Sequence, residues 1–357
     1  MQKEELKVDN KIIGESYPCF IIAEVGSNFR ISDIQEENYN HALKLIDIAA
    51  DAKADAVKFQ LYRAEKLYVK DAGHADYIGK QKSINQIIKE MELPYEWLSK
   101  LKKYCNKKGI IFLCTPFDEK SVDELEKIGI AAYKVASYTI SHIPLLRYIA
   151  KTGKPVIMST GASDLKDIRK AINAINEEGN NQIALMQCTA KYPAPLSTIN
   201  LKSIPALSRE FGVSVGLSDH SREPLIAPLG AVALGASIIE KHFTTNNDLL
   251  GPDHNFAILP EELKDLIIKI RQMEKSLGKV KKDILLEEEE LRSFARRSIY
   301  SSKDIRKGDT INKNNISILR SGKYCRGMEP EEIYNLLGKK AVRDVHKNQP
   351  ITLDMVE

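Results

Sequence analysis

Two histidines, His220 and His242, are the residues whose types and positions best suit a chemical role. They stand at the polar ends of two apolar runs, V-G-L-S-D-H-S at 215–221 and I-I-E-K-H-F at 238–243. The stretch between them, 226–236, has the length of one helical crossover, which would set the two runs side by side as parallel strands. Two imidazoles at one sheet edge are typical of a divalent-metal site with open coordination positions. The alternative is that each imidazole only forms hydrogen bonds at that edge.

Strand-like apolar runs alternate with helical patterns along most of the chain. The runs lie at 20–23, 56–60, 110–114, 132–136, 155–158, 183–188, 215–221 and 238–243. The helical patterns lie at 39–51, 95–107, 119–128, 144–151, 165–178, 199–211, 226–236 and 260–277. This alternation predicts an α/β chain that folds as a (β/α)8 TIM barrel. The alternative, a doubly wound open sheet, rarely needs so many repeats.

The chain changes character after residue 278. Residues 279–290 read K-V-K-K-D-I-L-L-E-E-E-E, which predicts a solvated helical linker. Short alternating pieces separated by Gly and Asn turns follow, at 297–300, 307–310, 316–319 and 341–344. We therefore predict a barrel domain over 1–278, a linker over 279–294 and a small, mostly β domain over 295–357.

The functional site of such a barrel lies at the C-terminal ends of its strands. Besides the histidines, the polar residues predicted there are Glu24, Lys58, Gln60, Thr115, Lys134, Ser137, Ser159, Tyr192, Ser218 and Glu240. Two lysines among hydroxyl groups favour an anion with several oxygens, such as a phosphate ester. The alternative is that Lys58 and Lys134 only form ion pairs, with Glu24 and Asp219. Glu24 is the leading carboxylate for proton transfer.

The composition argues against several classes of protein. The chain is 43% hydrophobic and 29% charged with a net charge of +4, which is typical of a globular protein. No basic block is interleaved with aromatic residues, so we expect no nucleic-acid partner. The charged N-terminus lacks the apolar core of a signal peptide, and the longest uncharged stretch, 225–239, is too short to cross a bilayer. We therefore expect a cytoplasmic protein with no membrane partner, whose scattered cysteines are reduced thiols.

Several short strings stand at the predicted strand ends. They are I-I-A-E-V-G-S-N at 21–28, K-F-Q at 58–60, Y-K-V-A-S at 133–137, S-T-G at 159–161, G-L-S-D-H-S at 216–221 and E-K-H-F-T at 240–244. Together these strings resemble the sialic acid synthase family. The pattern S-x-x-D-I-x-K-G-D at 301–309 is similar to the antifreeze-like (SAF) domain of the same family. The resemblance covers the whole chain in order.

The resemblance implies a metal-dependent condensation of phosphoenolpyruvate with an N-acylated amino hexose and water, which gives a nonulosonic (sialic) acid and phosphate. It implies that His220 and His242 hold a divalent ion, with Mn²⁺ first and Mg²⁺ or Co²⁺ as alternatives. The residues implied to hold phosphoenolpyruvate are Lys58, Thr115, Lys134, Ser137, Ser159 and Ser218. Those implied to face the sugar are Glu24, Gln60, Tyr192, Asp253 and Phe294. Arg320 is implied to reach into the barrel of a partner subunit, in a domain-swapped homodimer.

The chain departs from the family pattern near the sugar. Ala190 stands where these synthases commonly have Asn, and Asn28-Phe29 stands where Asn-His is frequent. The strings A-K-Y-P-A-P at 190–195 and D-H-N-F-A-I at 253–258 are more similar to the branch assigned to spore-coat polysaccharide synthesis. The acceptor therefore stays open between N-acetylmannosamine and precursors of legionaminic, pseudaminic or spore-coat sugar acids. A metal-dependent barrel hydrolase and a non-catalytic carbohydrate- or ice-binding protein are alternatives of other classes.

Overall fold

The structure of the chain is a computed structural model that describes residues 5–70, 72–73 and 83–357. The chain divides into two compact units, Met1–Gly278 and Lys279–Glu357. Within the described residues, no helix combines the length and the apolar character needed to cross a bilayer.

The first unit is a closed parallel barrel of eight strands in the part of the chain that the structure describes, which confirms the predicted fold. An antiparallel hairpin comes first, with strands β1 (Leu6–Val8) and β2 (Lys11–Ile13). The barrel strands are β3 (Phe20–Gly26), β4 (Ala56–Leu61), β5 (Ile111–Pro116), β6 (Tyr133–Val135), β7 (Val156–Ser159), β8 (Ile183–Cys188), β9 (Ser214–Asp219) and β10 (Ile238–His242). Their spatial order follows the chain, and β10 closes the barrel against β3.

Helices follow the barrel strands along the chain. They are α1 (Gln35–Asp51), α2 (Ala64–Leu67), α3 (Ile84–Glu90), α4 (Tyr95–Lys108), α5 (Glu119–Lys127), α6 (Ile143–Ala150), α7 (Leu165–Asn176), α8 (Ser203–Phe211), α9 (Ile226–Ala233) and α10 (Pro260–Leu277). Local signals fix their ends: the Asp164 carboxylate accepts from the amides of Lys166 and Asp167 at the start of α7. Gly109 adopts the left-handed conformation that ends α4.

The strand residues alternate between two hydrophobic layers. Ile21 and Ala23 belong to the layer between the strands and the helices, whereas Phe20 and Ile22 belong to the layer inside the barrel. The hairpin adds three buried residues to the inner layer, namely Leu6, Val8 and Ile13. The inner layer is therefore apolar toward the starts of the strands, and residues at the strand ends that continue the inner parity face a cavity.

The second unit is a small mixed domain with its own core. Its regular elements are α11 (Glu289–Ala295), the antiparallel strands β11 (Arg297–Ser301) and β12 (Ile316–Arg320), and α12 (Ile333–Leu336). The buried core side chains are Ile299, Ile305, Ile311, Ile316, Leu336, Ala341, Val345, Ile351 and Val356.

Several predicted boundaries need correction. The hairpin formed by β1 and β2 was not predicted. The run 279–290 is helical only from Leu286 and is exposed along its length, so a fully helical linker is wrong. The pieces 307–310 and 341–344 take part in isolated bridges at Thr310 and Ala341 rather than forming strands. The helix predicted over 199–211 begins at Ser203, whereas that predicted over 39–51 begins earlier, at Gln35.

The packing at Gly216 gives a test of the barrel. A Cβ atom at this position of β9 would lie 2.3 Å from the main-chain oxygen of Ile238 and 2.6 Å from its Cβ. Gly216→Ala should therefore force β9 and β10 apart, with an overpacking cost of roughly 1–3 kcal/mol or more in the free energy of unfolding. The measurement is urea-induced unfolding of the variant and the wild type.

Gly230→Ala is the matched control. A Cβ at Gly230 would meet only the Cδ1 atom of Leu201, which is the movable end of a side chain. Because alanine is also favoured in the α9 helix by up to about 1 kcal/mol, we expect little net change in stability. Equal stability of the two variants would contradict the close approach of the strands.

Candidate active site

A cavity of about 1050 Å³, including its open mouth, lies at the C-terminal ends of the barrel strands. Every barrel residue predicted for the site lines it: Glu24, Lys58, Gln60, Thr115, Lys134, Ser137, Ser159, Tyr192, Ser218, His220, Glu240, His242 and Asp253. The fold thus brings these side chains together, while their individual roles stay predictions.

Strand register explains this convergence. In the closing strand pair, His242 of β10 aligns with Glu24 of β3, and Glu24 aligns in turn with Lys58 of β4. On the other side of β10, Glu240 aligns with Ser218 of β9. All five residues continue the inner parity of their strands, so their side chains point into the same space.

Four buried charged side chains form the floor of the cavity. The Lys58 ammonium lies 2.8 Å from Glu24 Oε2, 3.2 Å from Thr115 Oγ1 and 3.6 Å from Glu240 Oε2. The Lys134 ammonium lies 3.3 Å from Glu240 Oε1. Glu240 therefore stands between the two lysines, and the four formal charges cancel.

Hydroxyl groups complete the floor. Lys134 donates to Ser159 Oγ at 2.7 Å, and the Ser218 hydroxyl donates to Glu240 Oε1 at 3.1 Å. Ser137 Oγ accepts from the main-chain N–H of Gly161 at 3.0 Å. A Cβ on Gly161 would lie 2.8 Å from Ser137 Oγ, so glycine is needed for this contact.

Both lysines have carboxylate partners in the structure. The pair of Lys58 with Glu24 exists, as the ion-pair alternative had it, but Lys134 faces Glu240 rather than Asp219. Asp219 has the opposite strand parity and pairs with Lys241 at 2.6 Å. Buried ammonium groups need counter-charges whether or not a ligand is bound, and Glu240 supplies one.

Burial and pairing set the pKa values of these groups. Burial raises the pKa of Glu24, although Lys58 opposes the shift. Burial would lower the pKa of Lys58, but Glu24 and Glu240 outweigh it and the pKa of Lys58 is raised. The pKa of Lys134 is lowered, chiefly by burial. For Glu240, burial is outweighed by Lys134 and Lys58, so its pKa is lowered. Glu240 is therefore the more firmly ionised carboxylate, and Glu24 is the one suited to carry a proton.

The two imidazoles lie next to each other, with ring centroids 5.5 Å apart. His220 Nδ1 lies 3.0 Å from the main-chain oxygen of Thr189. Because a carbonyl only accepts, Nδ1 carries a hydrogen, and Nε2 has a lone pair when the ring is neutral. Burial disfavours the protonated ring, but Cys188 outweighs it, so the pKa of His220 is raised. The ring of Tyr192 stacks on His220, with centroids 4.3 Å apart. His242 is buried, which lowers its pKa well below the usual range and keeps it neutral.

Asp253 approaches His242 from the loop after β10. Its Oδ2 atom lies 3.7 Å from His242 Nδ1, and burial raises the pKa of this carboxyl. Gly26 makes room for Asp253, because it adopts a φ of +55° and has no Cβ atom between Asp253 and Glu24. A Cβ there would lie 2.7 Å from Asp253 Oδ2 and 3.4 Å from Glu24 Oε1.

The two histidines fit a divalent ion. His242 Nδ1 is buried and has no hydrogen-bond partner, and in its neutral form His220, whose Nδ1 is directed to Thr189, would offer the lone pair of Nε2. No group of three or more His, Cys, Asp or Glu side chains suited to a metal occurs among the described residues. Two imidazoles in a cavity would leave coordination positions open for substrate or water, whereas a structural metal site is closed by protein ligands.

Cys188 was not predicted to belong to the site. Its Sγ atom lies 3.8 Å from His220 Nδ1 at the end of β8. Burial opposes ionisation of this thiol, but His220 outweighs it, so the pKa of Cys188 is lowered. All five cysteines are free; Cys325 is exposed and the other four are buried. The inner parity of Cys188 in β8 was the sequence signal that could have placed it beside His220.

The remaining cavity wall is apolar and was also not predicted. It is lined by Tyr62, Leu67, Ile87, Ile88, Met91 and Phe117. These residues come from α2, α3 and the turns beside β4 and β5, where strand parity gives no guidance. Glu240 was placed at a strand end but was given no role, although its contact with both lysines makes it central.

Phe294 and Arg320 belong to the second unit. Phe294 lies in α11 and is 47% exposed, and the exposed Arg320 ends β12 opposite Arg297. The Phe294 main-chain oxygen accepts from the N–H of Gly322, two residues after Arg320. Their predicted contact with a barrel stays a prediction.

Sequence models of known families match both units. The model of the NeuB family matches residues 45–282, and that of the SAF domain matches residues 296–357. The chain belongs to the NeuB family. The resemblance seen in the strand-end strings is thereby confirmed.

Relatives match along nearly the whole chain. The spore coat polysaccharide biosynthesis protein SpsE of Bacillus subtilis is 42% identical and covers 98% of this chain and 96% of its own. The N,N'-diacetyllegionaminic acid synthase of Campylobacter jejuni is 38% identical, over 93% of this chain and 98% of its own. A sialic acid synthetase from Leptospira borgpetersenii, solved in complex with citrate, has a TM-score of 0.72 at 35% identity, over 81% of this chain and 95% of its own.

The position of Glu240 between Lys58 and Lys134 gives a test of the charged floor. Glu240→Gln leaves two buried ammonium groups with one carboxylate. We therefore expect the free energy of unfolding to fall by roughly 3–5 kcal/mol. Millimolar inorganic phosphate should restore stability more in the variant than in the wild type, since it supplies the missing negative charge. Thermal and urea unfolding with and without phosphate measure both effects.

Glu124→Gln is the control for this variant. Glu124 pairs with Lys127 at 2.7 Å, but that lysine side chain is 65% exposed. Exposed pairs contribute at most about 1 kcal/mol, so the control should be nearly neutral and indifferent to phosphate. A Glu240→Gln protein as stable as this control would show that the floor does not depend on Glu240.

Proposed function

We propose that the chain catalyses a condensation of phosphoenolpyruvate with an N-acylated amino hexose and water, which releases phosphate and forms a nonulosonic acid. The reaction depends on a divalent cation, with Mn²⁺ as the first choice. The observation that carries the proposal is the convergence of two buried lysines, the four hydroxyl groups of Thr115, Ser137, Ser159 and Ser218, and two histidines in one cavity. Membership of the NeuB family and relatives named as legionaminic and sialic acid synthases support it.

The phosphoenolpyruvate end of the cavity is the charged floor. Lys58 and Lys134 would hold the phosphate and carboxylate groups, together with hydroxyls that these lysines orient. Those hydroxyls belong to Thr115 and Ser159, and Ser137 and Ser218 lie beside them. Charged hydrogen bonds of this kind are stronger than neutral ones, which suits a substrate with several anionic oxygens.

The acceptor end lies toward Gln60, Tyr192 and Asp253, with the two histidines between the ends. His220 and His242 would hold the divalent cation, which when bound polarises the aldehyde oxygen of the open-chain acceptor as a Lewis acid. Phe294 would also face the sugar, and in the proposed homodimer Arg320 of the partner subunit completes this end.

The chemistry forms a carbon–carbon bond and a carbon–oxygen bond to water, and it breaks the carbon–oxygen bond to phosphate. Carbon 3 of phosphoenolpyruvate attacks the aldehyde carbon, and positive charge develops on carbon 2. The former aldehyde oxygen takes up a proton and becomes a hydroxyl, while water adds to carbon 2 and loses one proton. The resulting tetrahedral intermediate then loses its hydroxyl proton and expels phosphate to leave a ketone. Lys134 and the neighbouring hydroxyls stabilise the charge that develops on the departing phosphate.

Glu24 is the group suited to the proton transfers. Burial raises its pKa, and Gln60 holds its Oε1 atom by a hydrogen bond of 2.7 Å. A carboxyl whose pKa lies closer to neutrality can both accept and release a proton during turnover. Glu240, whose pKa is lowered, stays ionised and neutralises the lysines.

A phosphate-release assay tests the proposal. Purified protein with Mn²⁺, phosphoenolpyruvate and N-acetylmannosamine or a related N-acylated amino hexose should release phosphate only when the acceptor is present, and a chelator should stop the release. Mass spectrometry of the product identifies which sugar acid forms. Release without an acceptor would favour the barrel hydrolase, and sugar binding without release would favour a binding protein.

Two variants separate the parts of this site. His220→Ala should lose both metal binding and turnover. Lys134→Met should raise the KM for phosphoenolpyruvate roughly 10- to 100-fold, the loss of one charged hydrogen bond, while metal binding persists. Lys154→Met is the control, since Lys154 pairs with Glu126 and does not line the cavity. An unchanged KM in Lys134→Met would contradict the assignment of the anion site.

Mixing inactive subunits tests the proposed exchange of domains. Glu24→Ala and Arg320→Ala should each be nearly inactive alone. In a mixed dimer with swapped domains, the barrel that keeps Glu24 receives Arg320 from the Glu24→Ala subunit, so part of the activity returns. If each domain served its own barrel, no mixed dimer would hold a complete site. Subunit exchange is verified by native mass spectrometry; exchange without recovered activity would refute the swap.

A further inference from the structure

Lys241 is a fully buried lysine that does not line the cavity. It is 1% exposed and follows Glu240 in β10 with the opposite strand parity, so it points away from the charged floor. Its ammonium reaches the turn after β9, where it donates to Asp219 Oδ2 at 2.6 Å and to the main-chain oxygen of Glu223 at 2.8 Å. A third contact is made with the main-chain oxygen of Ser221.

These contacts use the whole donor capacity of the ammonium. Lys241 has three N–H groups, and the three acceptors named above match them. The turn is braced further from within, because Asp219 Oδ1 accepts from the Ser221 N–H at 2.9 Å. The Glu223 carboxylate continues the network by accepting from the N–H of Leu225 at 2.9 Å, directly before α9. A single side chain of β10 thus holds the turn from the end of β9 toward the next helix.

The contacts of Lys241 connect the chain next to His242 with the chain next to His220. Lys241 directly precedes His242, while Asp219 and Ser221 flank His220. The ammonium therefore ties the strand beside one imidazole to the residues on both sides of the other, through the Asp219 carboxylate and the Ser221 main-chain oxygen. On the cavity side, the hydrogen bond from Ser218 to Glu240 ties the same two strands.

We propose that Lys241 is a positioning residue that sets the separation of His220 and His242, and through it the affinity of the cavity for a divalent cation. This inference rests on the proposed function, in which the two histidines hold the cation.

Stability alone does not account for this arrangement. A buried ion pair can usually be replaced by apolar side chains at little or no cost in stability. An apolar side chain would, however, leave the main-chain oxygens of Ser221 and Glu223 without this donor, and the turn would be free to shift. What the ammonium adds is a fixed geometry for the turn that carries His220, and a metal site is sensitive to the geometry of its ligands.

Manganese titration of Lys241→Gln tests the proposal. Free Mn²⁺ is measured by electron paramagnetic resonance, without substrates, for the full-length protein. We expect the dissociation constant for Mn²⁺ to rise roughly 10- to 100-fold, the range in which outer partners of metal ligands act. At saturating Mn²⁺, turnover should return while the KM for phosphoenolpyruvate stays unchanged, a split that a general loss of stability would not produce.

Lys102→Gln is the matched control. Lys102 also ties a turn through main-chain oxygens, since its ammonium lies 2.6 Å from those of Ile128 and of Gly129. That turn precedes β6, at the start of a strand rather than at the end that carries the site. Its dissociation constant for Mn²⁺ should equal that of the wild type.

Ser221→Ala covers the case in which Lys241→Gln does not fold. It removes a hydroxyl that lies 3.2 Å from Lys241 Nζ and donates to Asp219 Oδ2 at 3.1 Å, without leaving an unpaired charge. We expect a smaller weakening of Mn²⁺ binding. An unchanged dissociation constant in this variant, or in folded Lys241→Gln, would overturn the positioning role and leave the proposed function standing. A wild-type protein that binds no Mn²⁺ would overturn the metal site itself, and the positioning role with it.

Discussion

Mutual pairing of four buried charges is the constraint on which the site depends. Neither an ammonium nor a carboxylate is tolerated alone in such a place, because the desolvation cost exceeds what isolated hydrogen bonds return. Lys58 and Lys134 lie 3.6 and 3.3 Å from opposite oxygens of Glu240, and Glu24 holds Lys58 at 2.8 Å. Removing any one of the four side chains leaves the buried charge of a partner uncompensated, so the stability of each depends on the others.

The barrel satisfies this constraint through its register. The charged residues come from β3, β4, β6 and β10, and they meet because β10 closes against β3. Apolar side chains fill the interior beneath them, together with those of the N-terminal hairpin. The charges therefore have low-dielectric surroundings on one side and the open cavity on the other, which accounts for the raised pKa of Glu24 and the lowered pKa of Lys134.

Strand parity explains both the successes and the failures of the sequence-based predictions. The barrel and the polar strand ends could be predicted, because eight apolar runs alternate regularly with helical patterns and end in polar residues. The ion-pair alternative named the wrong partner for Lys134, because the parity of neighbouring strands was not compared. Asp219 aligns with Lys241 on the outer side, while Glu240 shares the inner parity with Lys134.

Other features depend on contacts that no local pattern records. The hairpin strands contain three residues each, too few for a detectable period. The apolar cavity wall is assembled from α2, α3 and the turn after β5, which meet only in the folded barrel. In the second unit, single bridges such as Ala341–Val356 replace the expected strands, because its core is held by scattered buried side chains rather than by a continuous sheet.

The cancelled charges of the floor raise the question of how it would hold an anion at all. The answer lies in the direction of its hydrogen bonds rather than in its net charge. Lys58 donates to Thr115 Oγ1 and Lys134 donates to Ser159 Oγ, so each hydroxyl accepts from an ammonium and keeps its own hydrogen for another acceptor. Ser218 differs, because its hydrogen is directed to Glu240.

The hydroxyls of Thr115 and Ser159 are therefore polarised by the two lysines and become stronger hydrogen-bond donors. They present donors to the cavity while the ammonium charges stay neutralised by carboxylates. A site of this kind selects an anion by the placement of its oxygens and attracts other anions only weakly, because no uncompensated charge acts at long range. For the proposed reaction this is an advantage, since the phosphate that is held as part of the substrate must also leave as a product.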